Sequence, residues 1–152
     1  MTANPKRELG KSGFLALIWM GVIFITSCFV IGPKAFVRSV AQVAPGRISE
    51  EGFGHFWREW WWLFVKGYHV LEFLILALLL VLTLRRWYPG RAALAASFAA
   101  AISLAYAGLD EFHQTFVPAR GGRLTDVAID GIGITVGVFI GLILSNRRGR
   151  VD

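Results

Sequence analysis

The sequence predicts an all-α integral membrane protein: a four-helix bundle with a long aromatic-rich extracytoplasmic loop. Three observations carry this. The 152 residues are 55% hydrophobic, with mean hydropathy +0.56, above the usual range of soluble domains. Four apolar runs, at about 12–31, 65–84, 92–109 and 126–144, approach the length that crosses a bilayer as a helix. Lys and Arg are concentrated in short clusters beside those runs, so the formal charge of +6 is read as a device for membrane orientation. No nucleic-acid partner is expected. One domain, residues 1–152, is predicted, and the single Cys28 excludes both an intramolecular disulfide and a cysteine-rich metal site.

The first run follows Lys6, Arg7 and Lys11. It is too long for a usual signal-peptide core, and no small-x-small cleavage site follows it closely, so an uncleaved first span is expected. The connection 32–64 begins with the helix-breaking pairs Gly32-Pro33 and Pro45-Gly46. It then becomes aromatic, with Trp57, Trp60, Trp61 and Trp62 just before the second span. Tryptophan favours the headgroup level, and a short interfacial or partly re-entrant helix is expected there. The second span ends in Arg85, Arg86 and Arg91 around a Pro89-Gly90 turn. The third is rich in Ala and Ser, which permit close helix approach and mark an interior helix. In the fourth, Gly133, Gly137 and Gly141 form overlapping G-x-x-x-G steps, read as helix packing.

Charge decides the predicted topology. With both termini cytoplasmic, the N-terminus, the 85–91 turn and the C-terminus hold Lys6, Arg7, Lys11, Arg85, Arg86, Arg91, Arg147, Arg148 and Arg150, nine of the sixteen basic residues. The positive-inside rule supports that arrangement. It places Lys66, His69 and Glu72 at the outer start of the second helix, where their i, i+3, i+6 spacing puts them on one face. Asp110, Glu111 and Gln114 then end the third helix on the same side, and Asp126 and Asp130 begin the fourth there. Ionisable groups at that depth require hydration, partners or a polar cavity. Arg120 and Arg123, between the last two spans, are candidate partners; His113 is expected to orient a carboxylate or face solvent.

The stretches K-x-x-H-x-x-E (Lys66 to Glu72), D-E-F-H-Q-T-F-V-P-A-R (Asp110 to Arg120) and D-V-A-I-D-G-I-G (Asp126 to Gly133) together resemble the VanZ family of small multispanning bacterial membrane proteins. Its founding type is associated with low-level resistance to the glycopeptide teicoplanin. The resemblance implies a place in the bacterial cytoplasmic membrane. It matches Lys66, His69, Asp110, Glu111, Gln114, Arg120 and Asp126 to the family's motifs. Where the family commonly has Asn, this chain has Asp130, and Ser27 is a weak match to a polar residue ending the first helix.

Three functions stay open at this level. In the first, an envelope protein binds or modulates a membrane lipid or lipid-linked glycan. Lys66, Arg120 and Arg123 would hold phosphate, and Glu72, Gln114 and Asp130 would complete the binding site. In the second, an intramembrane phosphoryl transferase or hydrolase uses His69, Asp110, Glu111 and Asp126 as catalytic groups. Asp110, Asp126 and Asp130 would then ligate a divalent metal ion as cofactor. In the third, the polar cluster only cements the bundle. Whether the chain is an enzyme is left undecided.

Overall fold

The computed structural model describes residues 5–29, 33–43, 46, 49–118 and 120–148, without the side chains of 5–11, 33, 147 and 148. The predicted limit of the first span at residue 31, the breakers Gly32 and Pro45, the side chains of Lys6, Arg7, Lys11, Arg147 and Arg148, and Arg150 lie outside the described residues or side chains. The described residues are all-helical: α1 (Pro5–Cys28), α2 (Pro33–Val43), α3 (Glu50–Trp87), α4 (Ala92–Gln114) and α5 (Leu124–Arg148). Three are long and apolar enough to cross a membrane: α3, α4 and Leu124–Asn146 of α5. The apolar part of α1, Ser12–Cys28, is shorter.

The connection before the second span differs from the expected loop. Residues 50–64 belong to the same unbroken helix as the span, which runs for 38 residues, about 57 Å at 1.5 Å per residue. Local chemistry explains the continuity. Ser49 caps the start by accepting from the Gly52 N–H at 3.0 Å, Glu50 and Glu51 occupy the first turn, and Arg85 and Arg86 the last. No proline interrupts the helix; Pro89 follows its end, and Gly90 takes the positive φ of 74° that the turn into α4 requires. The preceding α2 is strongly amphipathic. It buries Val37 and lays the Phe36 ring 4.3 Å from Trp57 and 6.3 Å from Phe53, with Lys34 and Arg38 exposed. Trp60, Trp61 and Trp62 remain 42–49% exposed, as rings meeting a headgroup layer would be.

Helix α3 is central and packs against every other helix. Helices α4 and α5 also pack on each other, while α1 lies against α3 and α4 and, among the described residues, does not touch α5. The core is thin, formed by Ile23, Phe73, Leu76, Ala77, Ala107 and Ile134. Large apolar side chains such as Phe14, Leu17, Leu104 and Phe139 are exposed on the periphery, as expected where lipid replaces water as the solvent. On α4 the small residues Ala95, Ala99, Ser103 and Ala107 are fully buried at one-turn spacing, in keeping with the predicted interior face. The tightest approach is between α3 and α5: a Cβ on Gly133 would stand 2.1 Å from the Val70 carbonyl oxygen, and one on Gly137 2.2 Å from that of Leu74.

The two ends of this bundle differ in charge. At one end Arg85 donates to Ser145 Oγ at 3.2 Å and Asn146 Oδ1 at 3.0 Å, and Arg86 reaches Ser12 Oγ at 3.5 Å. The start of α1 and the ends of α3 and α5 therefore lie together there. At the other end Lys66 meets Asp126 and Ser27 meets Asp110.

Candidate functional site: a buried carboxylate cluster

Backbone placement gathers the site. The end of α1, the middle of α3, the end of α4 and the start of α5 meet at the acidic end. Glu72, Asp110, Glu111, Gln114 and Asp130 are all buried, Glu72 and Asp130 to 1% exposure. Burial of that many ionisable side chains is costly unless each acquires partners, and many of their hydrogen-bonding atoms do.

Asp110 is held through one oxygen. Its Oδ2 accepts from Ser27 Oγ at 2.9 Å and from Gln114 Nε2 at 2.7 Å, the latter one helical turn along α4. Glu72 is held likewise: Oε1 accepts from Thr26 Oγ1 at 2.8 Å, and its backbone carbonyl accepts from the Trp19 indole N–H at 2.8 Å. Glu111 Oε2 accepts the backbone N–H of Arg123 at 2.8 Å. Gly122 makes that possible, because a Cβ there would lie 2.0 Å from the Glu111 carbonyl oxygen. At the rim, Lys66 pairs with Asp126, both half-buried, and Arg120 donates to the Phe29 carbonyl at 3.0 Å.

The other atoms of the cluster are left open. Glu72 Oε2, Asp110 Oδ1, Asp130 Oδ2 and His69 Nδ1 are buried and have no hydrogen-bond partner. His69 Nδ1 stands 3.8 Å from Glu72 Oε2, too far for a hydrogen bond. Asp130 lies within electrostatic reach of Glu72, Asp110, Glu111 and Asp126. Buried polar atoms are nearly always satisfied in folded proteins, and Ser103 Oγ and His113 Nδ1 are open here as well.

Of the predicted site residues, the structure brings Lys66, His69, Glu72, Asp110, Glu111, Gln114, Asp126 and Asp130 to one end of the bundle. Arg120 is joined to the end of α1, and Arg123 contributes its backbone, its side chain being exposed. Asp110, Asp126 and Asp130 do not form a ligand set: among the described residues no three His, Cys, Asp or Glu side chains could hold one metal ion. His113 turns to α1 instead of a carboxylate, its ring 4.5 Å from Phe24 and its Nε2 3.9 Å from Cys28 Sγ. The contribution of α1 was the least legible. Thr26 and Trp19 carry no motif, yet with Ser27, and with the Tyr106 hydroxyl donating to the Met20 carbonyl at 2.6 Å, they fasten α1 to the site. The signal available was a pair of adjacent hydroxyls, Thr26-Ser27, at the end of an apolar run.

The VanZ/LLP1 family model matches residues 13–145, from the start of the apolar part of α1 to the end of α5. The chain belongs to this family. No curated protein and no solved structure gives a significant match. VanZ membership, linked to teicoplanin resistance, accords with three helices able to cross a membrane. All the motifs that resembled VanZ fall within the matched region, and most of their polar residues line the cluster. Ser27, the weakest of the motif matches, is 1% exposed and bonded to Asp110. Replacing Ser27 with Ala should therefore lower stability by about 1 kcal/mol, read as a drop in the thermal midpoint of the purified protein in detergent. Cys28→Ser, one residue on and exposed, should leave it unchanged.

Proposed function

We propose that the chain lies in the bacterial cytoplasmic membrane with α1, α3, α4 and α5 crossing it and both termini in the cytoplasm. Its polar site then opens at the extracytoplasmic side and binds the headgroup of a lipid or lipid-linked glycan. The orientation is supported by the charge difference between the ends of the bundle. Arg85, Arg86 and Arg91, with Arg147 and Arg148 in the last turn of α5, sit opposite the carboxylates. Cys28 provides the test, being the single cysteine, exposed and at the acidic end. In intact cells a membrane-impermeant maleimide should label Cys28. A cysteine placed at Arg91 in a Cys28→Ser background should react only after the membrane is permeabilised. The reverse pattern would overturn the orientation.

The open acceptors Glu72 Oε2, Asp110 Oδ1 and Asp130 Oδ2 are the observation that carries the binding reading. A headgroup rich in N–H or O–H donors satisfies them, while Lys66, Arg120 and the exposed Arg123 at the rim supply positive charge for a phosphate. The exposed apolar surface beside the site accommodates the chains of the same ligand. Binding is favoured over metal-assisted hydrolysis because, among the described residues, no three His, Cys, Asp or Glu side chains are placed to hold one metal ion. The purified protein in lipid nanodiscs should bind a polyprenyl-phosphate sugar or a phosphoglyceride saturably and return it unchanged, with or without Mg²⁺. Turnover of the ligand that disappears in folded Glu111→Gln would favour the enzyme. Absence of any saturable ligand would leave the cluster with a purely cementing role.

A further inference from the structure

We infer that the deep part of the site is a receptor for a primary ammonium group, so that its ligand is an amphiphile carrying both a phosphate and a free amine. This rests on the reading of the site as a headgroup pocket and names which headgroup it takes.

Three carboxylates on three different helices, Glu72 on α3, Asp110 on α4 and Asp130 on α5, are 1–4% exposed, and each retains one buried oxygen without a partner. Lys66 pairs with Asp126 and Arg120 donates to the Phe29 carbonyl, both at the rim and neither bonded to the three open oxygens. His69 does not reach Glu72 Oε2 within hydrogen-bonding distance. No side chain of the described residues bonds these three oxygens, although the Tyr68 hydroxyl and the Arg120 charge both act on Glu72. A neutral hydroxyl would supply one donor and leave the charge uncompensated in a medium where buried charge demands a counter-charge.

The same arrangement argues for an organic cation over a metal ion. Metal ligation requires oxygens to converge to roughly 2.0–2.6 Å from one point, and among the described residues no three acidic, histidine or cysteine side chains do so. An ammonium group has three N–H donors that point apart and act over about 2.8 Å, so it can reach acceptors that stand farther from one another. Its three donors equal the open carboxylate oxygens in number. The order of charge along the site completes the pattern: Lys66 and Asp126 lie toward the outer end of α3 and α5, while Glu72 and Asp130 lie one to two turns deeper. Phosphate at the rim and amine inside is the zwitterion that such a site selects. Two sources carry this chemistry, an aminoethyl phosphoglyceride and a polyprenyl-phosphate sugar with an unacetylated amine.

The test compares ligands that differ only in the headgroup, using purified full-length protein in nanodiscs and native mass spectrometry. Phosphatidylethanolamine should bind at least about tenfold more tightly than its quaternary counterpart phosphatidylcholine, or than phosphatidylglycerol, which has hydroxyls only. A polyprenyl-phosphate aminosugar should show the same margin over its N-acetylated form if that is the source. Either preference supports the inference and identifies the source. In Glu72→Gln and Asp130→Asn the margin should collapse towards unity. The wild-type comparison stands even where a variant does not fold. Equal binding of amine-bearing and amine-free ligands would overturn the ammonium receptor and leave the headgroup pocket intact. No saturable binding of any of these ligands would overturn both.

Discussion

Gly133→Ala is expected to cost about 3 kcal/mol or more and to prevent recovery of folded protein, although it adds one methyl group. The added Cβ would lie 2.1 Å from the Val70 carbonyl oxygen and 3.2 Å from the Leu74 nitrogen, both backbone atoms of α3. No side-chain rotation relieves such a clash, so the two helices must separate along their closest contact, which exceeds ordinary overpacking. Asp130 is less than a turn away on the same helix, so the carboxylate cluster would open with the contact. Gly131→Ala is the control. A Cβ there meets nothing within 4 Å, and replacing a helical glycine by alanine should stabilise by about 0.5–1 kcal/mol. Unfolding in a detergent titration measures both. Equal stabilities for Gly133→Ala and wild type would show that α3 and α5 do not approach this closely.

Asp110 is expected to separate fold from function. In Asp110→Ala, the Ser27 hydroxyl and the Gln114 amide lose their shared acceptor in a buried setting. The loss should be about 2–3 kcal/mol, one to two for the interhelical bond and about one for the bond within α4, with α1 loosened from α4 because Ser27 is one of its few polar attachments there. Asp110→Asn keeps an acceptor oxygen and the side-chain volume, and should retain most of the thermal midpoint while reducing binding of an amine-bearing phospholipid by about tenfold. Measured together, midpoint and affinity should move in parallel for Ala and diverge for Asn. Parallel changes in both variants would make the cluster a structural cement and no binding site.

Parts of this architecture were legible without coordinates because they depend on local chemistry. The start of α4 follows from the Pro89-Gly90 turn, and the apolar runs 92–109 and 126–144 lie within α4 and α5, which extend beyond them. The gathering of Arg85 and Arg86 at the end of the bundle away from the carboxylates follows from their place after the second apolar run. The convergence of Lys66 through Glu72 with Asp110 through Gln114 follows from antiparallel apolar runs of similar length joined by the short turn at Pro89-Gly90. The aromatic segment was misread as a loop. A short interfacial or partly re-entrant helix was expected within it, whereas the Ser49 cap and the absence of proline continue α3 through it as one helix with the span. The divalent metal set was suggested by residue type alone, and type does not report where a carboxylate oxygen points.

The sequence by itself determined the class of the protein, its family and the end of the bundle at which its polar residues collect, since hydropathy, charge clusters and motif spacing are properties of contiguous chain. Only the tertiary structure decided which oxygens are satisfied and which remain open. Thr26 and Ser27 reach Glu72 and Asp110 across separations of 46 and 83 residues, and the glycines of α5 bring Asp130 against α3. Hydrogen-bond satisfaction is a property of distances between separate helices, and those distances exist only once the helices have packed.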